Sequence, residues 1–554
     1  MARPSSNLGP GTTPTFDPAE IAIFEPLGRR RRIEAGEYLY REGDTTYDFH
    51  ILLSGTVDIV VGAGTDDERF ILRMHGAGAF LGELNLLTGL RVFVTSRVIE
   101  PGEAIAVPVE GLRRIIATQP ALSDKILATF MARRANLLTG AATATRVIGS
   151  RFSAEALQLR EFLARTRVPY EWLDPDSDPE VERILHEFDV EPGELPVVIS
   201  SGSVLRRPSP GVVADYLGLT LERLPDRCFD LVIVGGGPAG LAAAVYGASE
   251  GLRTLGVEMV APGGQAGTSS RIENYFGFPT GISGGDLTQR GVVQAEKFGA
   301  VLSAPCVAEK LDEEAGHLVV GLSDGTVVAG RAVIAASGAR YRRLDVDRLS
   351  EFENRGVYYA ATDLEARQCA GGAVIVVGGG NSAGQAAVYL ADCGSSVTVV
   401  VRGPDLSASM SRYLVDRLET HPRIEVDTRA QVVALGGGET LESARISGPA
   451  GEREVPITGL FSFIGADPQS GWLSGCAALD EQGFVLTDRA LPDEELGERW
   501  GLLGRRPLPF ETSFPGLFAV GDLRSGSTKR VAAAVGEGSS AVRSVHEHLA
   551  FAGR

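Results

Sequence analysis

Apolar positions change their period along the chain. Between 20 and 110 they come in short runs broken by turn residues: EYLYREGD, FHILLSGTVDIVV, RFILRMHGAGAF and TSRVIEPGEAIAVP. That spacing predicts an all-β barrel or sandwich. Between 111 and 140 the period becomes helical, with Leu112, Ile115, Ile116, Leu127, Phe130 and Met131 on repeating faces. TGAATATRVIGS then reads as a linker. From 151 to 220 the pattern predicts a helix (AEALQLREFLART), a strand (YEWLD), an acidic helix (DPEVERILHEF), a strand ending LPVVIS, and a helix (GVVADYL). A second boundary is expected near 222–228. Beyond it strands and helices alternate to the end, as in open parallel sheets.

Composition narrows the class. The chain has 554 residues, of which 44% are apolar and 22% charged, so it can build several packed domains. Only residues 1–15, rich in Pro, Gly, Ser and Thr, read as a loose tail. Fifty-three basic residues face 71 acidic ones, a net charge of −18. This excludes nucleic acid or an anionic membrane as the main partner, since both want a basic face. Cysteines at 228, 306, 369, 393 and 476 form no CxxC and no zinc spacing. The sparse, odd set suits a reducing cytoplasm and not a disulfide scaffold. No membrane span and no metal site are expected. His546 and His548, in a polar C-terminal helix, read as surface residues.

The chemistry lies in two glycine loops. In FDLVIVGGGPAGLAAAVYGASEGLRTLGVE, Gly235, Gly237 and Gly240 form GxGxxG between an apolar strand and an Ala-rich helix. Such glycines allow a tight turn and close approach of a pyrophosphate to the helix N-terminus. Pro238 and Ala239 fill the loop between them. Glu258, 18 residues beyond Gly240, ends the next strand, where a carboxylate can accept ribose hydroxyls. The second unit is GGAVIVVGGGNSAGQAAVYLADCGSSVTVVVRG. Gly378, Gly380, Asn381 and Ser382 open it, and Ala383 replaces the third glycine. Arg402 follows the next strand, where a guanidinium can pair with a 2′-phosphate, favouring NADPH over NADH.

Residues 229–548 resemble low-molecular-weight thioredoxin reductases and related flavoproteins. The resemblance rests on an ordered set of segments: APGGQAG with Gly264 and Gln265, IENYFGFP with Asn274, IAASGAR with Gly338, FSFIGADP, and FPGLFAVGDLRSGSTKRVAAAVGEG. In the last of these the resemblance assigns Gly521, Asp522, Lys529, Arg530 and Val531 to the FAD site. It implies FAD and a nicotinamide nucleotide as cofactors, hydride transfer between them, and a homodimer. One departure is decisive. Thioredoxin reductases carry Cys-Ala-Thr-Cys before the second glycine loop; here Ala360 and Asp363 occupy the two cysteine positions. Neither can exchange with a disulfide. Asp363 is a candidate proton donor, and Cys369 reads as an inert side chain. Some ferredoxin–NADP reductases share this fold and also lack the pair.

The N-terminal region resembles cyclic-nucleotide-binding domains through GAGAFLGELNLLTGLRVFVTSRV. Gly82, Glu83, Leu84 and Arg91 match that family's ligand segment. Val92 and Phe93 replace its usual Ser/Thr and Ala. Residues 148–222 resemble glutaredoxins more loosely, with Ser153 and Ala156 where a CxxC would sit and Pro196 at the cis-proline position.

The expected fold is multidomain. An N-terminal β jelly roll with helices spans 16–140 and a small α/β thioredoxin-like module 148–222. The C-terminal α/β flavoprotein has an FAD-binding domain (228–344 and 463–554) with an NAD(P)H-binding domain (345–462) inserted. The expected function is hydride transfer from NADPH to FAD and on to a small-molecule or protein acceptor, with a cyclic nucleotide as a candidate ligand of the first domain. Two alternatives stand beside it: a flavin-containing sensor with little turnover, and a thioredoxin reductase using cysteines from elsewhere.

Overall fold

The computed structural model describes residues 13–65, 68–88, 90–139, 145–150, 153–175, 177–178, 180–200, 203–220, 228–269, 271–353, 355–361, 363–407, 409–438 and 440–552. Most of the expected tail and residues 222–227 of the second boundary lie outside them. The chain forms two compact units, one of residues up to 224 with 296–299 and 303–305, the other of the remainder.

The first unit opens with α1 (Pro18–Phe24), whose Asp17 and Glu20 cap each other reciprocally. Eight strands follow: β1 (Arg29–Ile33), β2 (Tyr38–Tyr40), β3 (Phe49–Leu52), β4 (Thr56–Val61), β5 (Arg69–His75), β6 (Phe80–Leu81), β7 (Thr95–Glu100) and β8 (Gly102–Val107). They pair antiparallel in two sheets ordered β1-β8-β3-β6 and β2-β7-β4-β5, a jelly roll. The long run FHILLSGTVDIVV breaks at Gly55, whose φ of +95° suits glycine. Asp58 is buried in β4 because Arg73, opposite it on β5, donates to both its oxygens at 2.5 and 2.7 Å. The helical stretch divides at Pro120 into α3 (Val109–Thr118) and α4 (Pro120–Thr139), after the short α2 (Asn85–Thr88) between β6 and β7.

A second sheet system completes this unit: β9 (Thr145–Ile148), α5 (Ala154–Arg165), β10 (Glu171–Leu173), α6 (Val181–Glu187), β11 (Val197–Ser200), β12 (Ser203–Arg206) and α7 (Pro210–Leu217). The strand order is β10-β9-β11-β12. Here the structure corrects the linker reading. Residues 145–148 form β9, flanked by β10 and β11. Its four residues are too few to show a period, and the preceding Gly/Ala/Thr tract hides them. The Ser153 hydroxyl caps α5, accepting the Ala156 N–H at 3.2 Å. The Leu195–Pro196 peptide is cis.

The second unit contains two nucleotide-type sheets. The first takes β13 (Cys228–Val234), α8 (Pro238–Ser249), β14 (Thr254–Val257), α9 (Gly284–Lys297), β15 (Val301–Ser303), β16 (Ala308–Glu314), β17 (His317–Leu322) and β18 (Val327–Ala335). The chain then passes through β19 (Ala339–Tyr341) and α10 (Leu349–Phe352) into the second sheet. That sheet has β20 (Val357–Tyr358), α11 (Asp363–Gln368), β21 (Ala373–Val377), α12 (Asn381–Asp392), β22 (Ser396–Val401), α13 (Arg412–Thr420) and β23 (Ile424–Thr428). A meander of β24 (Gln431–Gly437), β25 (Leu441–Gly448) and β26 (Gly451–Pro456) leads to β27 (Gly459–Ser462). The chain returns through β28 (Ala466–Pro468), α14 (Glu498–Leu503), β29 (Leu517–Ala519) and α15 (Val531–Ala552). β13 lies between β14 and β18, parallel to both, and β29 joins beyond β18. The second sheet, β20-β27-β21-β22-β23, is parallel throughout. The outgoing and returning connections, β19 and β28, pair with each other.

Candidate functional site

The first glycine loop joins β13 to α8, and each glycine has a steric reason. Gly235 has φ of +113°, and a Cβ there would lie 2.2 Å from the Ala336 carbonyl. A Cβ on Gly240 would meet the Gly235 carbonyl at 1.8 Å. Gly237 ends the loop as the N-cap of α8, with no side-chain cap, and Pro238 follows at the first turn. The helix therefore presents its N-terminal N–H groups without a side-chain competitor. Ala239 packs beneath α15 so closely that a Cβ on Gly538 would lie 2.0 Å from its carbonyl oxygen. Glu258 is placed by this loop. Its carboxylate accepts the Gly236 N–H at 2.6 Å and the Val260 N–H at 3.2 Å.

A cavity of about 390 Å³ opens beside Gly235 and Glu258, bounded also by Cys306, Ser337, Arg340 and Trp472. Ser337 donates to the Gln469 carbonyl at 2.7 Å, and Gln469 Nε2 returns a bond to the Ser337 carbonyl at 3.2 Å. The Trp472 indole N–H reaches Ser337 Oγ at 3.3 Å. Ser337 lies within IAASGAR, whereas Gln469 and Trp472 follow FSFIGADP and were not marked by a motif; the three become neighbours only when those crossing segments meet. Gly264 sits against the same loop, where a Cβ would fall 2.8 Å from Gly237 Cα. Gln265 donates to the Ala339 carbonyl. Gly338 has φ of +68°.

The C-terminal segment turns at Gly521, φ +69°, whose N–H donates to Glu537 at 2.7 Å. Glu537 also takes the Arg524 guanidinium at 2.7 Å and the Ser527 hydroxyl at 2.8 Å, so it anchors the turn to α15. It too escaped the sequence reading. Burial raises the Asp522 carboxyl, with Lys529 opposing the rise. Burial lowers Lys529, whose ammonium donates to the Asp522 carbonyl at 2.5 Å and lies 4.3 Å from the Phe484 ring centre. Arg530 is exposed immediately before α15, which begins at Val531.

The second loop repeats the first with one change. Gly378 has φ of +144°, and a Cβ would lie 2.5 Å from the Phe463 carbonyl. Gly380 caps α12 without a side-chain bond. Asn381 accepts the Ser411 N–H at 2.7 Å, folding the segment after β22 back over the loop. Ala383 is fully buried. Arg402 is exposed at the end of β22. Ser382 lies near Tyr341, whose hydroxyl is raised first by burial and then by the Asp522 charge. Tyr341 thus lies between groups of both glycine-loop domains, its ring edge-on to Phe463 at 5.8 Å. Arg417 on α13 adds a bridge to Glu273, at 2.7 Å, in the segment that also holds Asn274.

Ala360 is half-buried just before α11, which Asp363 opens. Cys369 is buried, with Sγ 3.8 Å from the Thr458 carbonyl. Burial pushes its thiol up to about 11. All five cysteines are free. No helix of the described residues is long and apolar enough to cross a membrane, and none of their side-chain clusters suits a metal ion. The surface reading of His548 is corrected. It is buried, with its Nδ1 3.1 Å from Arg505 and 3.5 Å from Glu511.

Two strand–glycine–helix units, an acid held at the first and an arginine at the second, define a two-nucleotide oxidoreductase fold. A profile of the pyridine nucleotide-disulphide oxidoreductase family matches residues 229–538, more than half of the chain, and the protein belongs to that family. It is an NAD(P)H-dependent flavoprotein oxidoreductase, similar to thioredoxin reductases. The thioredoxin reductase of Mycoplasmopsis pulmonis is 31% identical over 317 residues, 57% of this chain and 96% of the relative. That of Bacillus subtilis is 31% identical over 327 residues, 58% and 96% of the two chains. The crystal structure of Lactococcus lactis thioredoxin reductase in its FR conformation superposes with a TM-score of 0.52 at 27% identity, covering 58% of this chain and 99% of that one. T. acidophilum thioredoxin reductase gives 0.52 at 25%, with the same coverage. A cyclic nucleotide-binding domain profile matches residues 30–119.

Proposed function

We propose that this enzyme carries two electrons from NADPH through FAD directly to a small-molecule or protein acceptor, without a cysteine pair. The carrying observation is the stretch before the second glycine loop. Ala360 and Asp363 stand at the thiol positions, and the nearest sulfur, Cys369, is buried and held as an unreactive thiol. FAD, when bound, supplies a ring that takes hydride from a nicotinamide.

The protein groups then have separable roles. The α8 N-terminus would face the pyrophosphate, and Glu258, already oriented by Gly236, would accept ribose hydroxyls. Asp522 would meet the ribitol from the turn that Glu537 holds. The α12 N-terminus would take the nicotinamide nucleotide's pyrophosphate, and exposed Arg402 its 2′-phosphate. Per turnover NADPH, one proton and the oxidised acceptor give NADP⁺ and an acceptor reduced by two electrons. Asp363, at the start of α11, is the candidate to deliver that proton. The five free cysteines support a reducing compartment, the cytoplasm, and the relatedness to thioredoxin reductases supports a homodimer.

An anaerobic stopped-flow titration of the flavin absorbance tests this reading. NADPH is expected to bleach the band at least about tenfold faster than NADH at equal subsaturating concentration. A band that stays oxidised with both nucleotides overturns it in favour of a sensor.

A further inference from the structure

The segment 82–93 carries the resemblance to cyclic-nucleotide-binding domains, yet the structure spends its polar groups elsewhere. The Arg91 N–H donates to the Leu217 carbonyl at 3.1 Å, and the Val92 N–H to the Asp44 carbonyl at 3.0 Å. The Gly43 N–H returns a bond to the Val92 carbonyl at 2.9 Å. Asn85 closes the remaining backbone group by donating to the Arg91 carbonyl. The Arg91 guanidinium donates to the Gly43 carbonyl at 3.1 Å and lies 4.7 Å from the Tyr216 ring centre. A phosphate arriving here meets no free N–H at 91 or 92. It finds no hydroxyl at Val92, and an arginine bonded to Gly43 and stacked on Tyr216, with its Nε buried and unpartnered.

The flanking side chains explain where those groups went. Leu90 and Phe93 are buried in one apolar cluster with Leu159, Phe162, Val213 and Leu217, all from the second sheet system of this unit. Phe93 therefore fills space in a neighbouring core. From the other side, α4 covers the segment. Arg134 donates to Asn85 Oδ1 and to the Arg167 carbonyl, and lies 4.9 Å from the Phe93 ring centre. Arg133 donates to the carbonyls of Gly82 and Phe80 at 2.8 and 3.0 Å. Glu83, the residue a ribose would need, is 5% exposed, with Arg134 and Arg133 the charges that act on it. One of its carboxylate oxygens has no hydrogen-bond partner. It is enclosed, not presented.

We propose that residues 82–88 and 90–93 are a permanent docking socket for α7 and its sheet, closed to cyclic nucleotides. The socket makes the jelly roll and the sheet that follows it one cooperative body. It rests on contacts within the first unit and is independent of how electrons leave the flavin.

Isothermal titration of the full-length protein with cyclic AMP and cyclic GMP at millimolar concentration tests it. Neither is expected to bind, and neither should raise the unfolding temperature. Val92→Thr restores the missing hydroxyl at a buried position, at some cost in stability, and it too should bind nothing, because the N–H groups remain spent. Saturable binding by the wild type or by this variant overturns the proposal. Hydrogen exchange supplies the second arm. Phe93→Ala should speed amide exchange in residues 210–217 by about a hundredfold or more, while residues 531–552 keep their wild-type rate. Unchanged exchange in 210–217 means that α7 does not depend on the socket, and the proposal falls.

Discussion

Glu258 shows what a single residue can and cannot announce. Its place at a strand end, a fixed distance after GxGxxG, is a sequence fact, and so is its chemistry. Its aim is not: Gly236 and Val260 hold the two carboxylate oxygens through backbone N–H groups. Glu258→Gln keeps the size but removes the charge. It should weaken FAD binding roughly 10–100-fold, the range for one charge-assisted hydrogen bond. Fluorescence titration of the apoprotein with FAD measures it, and unchanged affinity would contradict the assigned role. Ala360 and Cys369 were equally legible, because absent or unpaired sulfur is visible without coordinates. Ser337 and Gln469 were not. They lie 132 positions apart, Ser337 inside IAASGAR and Gln469 just beyond FSFIGADP, and nothing in either segment names the other.

Among the elements, the segment between β28 and β29 hid the most. Glu511 is fully buried and Arg505 nearly so, joined by bonds of 2.6 and 2.8 Å. The N–H groups of Leu508 and Gly516 add bonds at 2.8 and 2.9 Å. Burial alone would raise Glu511, but Arg505, His548 and these N–H groups outweigh it and hold the carboxyl at about 2. A depressed acid stabilises the fold above its ordinary value near 4.5 and loses that contribution as pH falls toward 2. The denaturation midpoint of this unit should therefore fall steeply across that window. Glu511→Gln should flatten the fall and cost about 3–5 kcal/mol at neutral pH, because it leaves Arg505 buried without its counter-charge. A variant as stable as wild type at pH 7 would contradict the argument. No periodicity marked this cluster. Arg, Glu and His in a loop and a polar helix look like solvent-facing residues until the chain closes around them.

In the whole molecule, the match to the pyridine nucleotide-disulphide oxidoreductase family spans residues 229–538, and the jelly roll and the sheet system that follows it lie before it in the chain. The redox unit therefore has relatives for its two nucleotide folds. Alanine at all five cysteines should leave NADPH-driven reduction of a quinone acceptor within about twofold of wild type, since no thiol lies on the proposed route. Steady-state turnover checks this. Loss of activity with retained FAD would return the enzyme to a thiol mechanism.

The division between sequence and structure follows from range. Local rules, including period, glycine spacing and the strand-end acid and arginine, were determined by the chain itself, because each depends on neighbours a few residues away. The two glycine loops and the β-rich pattern of residues 20–110 belong here. Only the tertiary structure decided what distant groups do for one another. Phe93 belongs to a neighbouring core, Glu83 is enclosed by α4, His548 is buried beside Arg505, and the cavity beside Glu258 is walled by segments far apart in the chain. Residue type reveals that a side chain can bond or pack. Which partner it finds depends on closure of the whole chain.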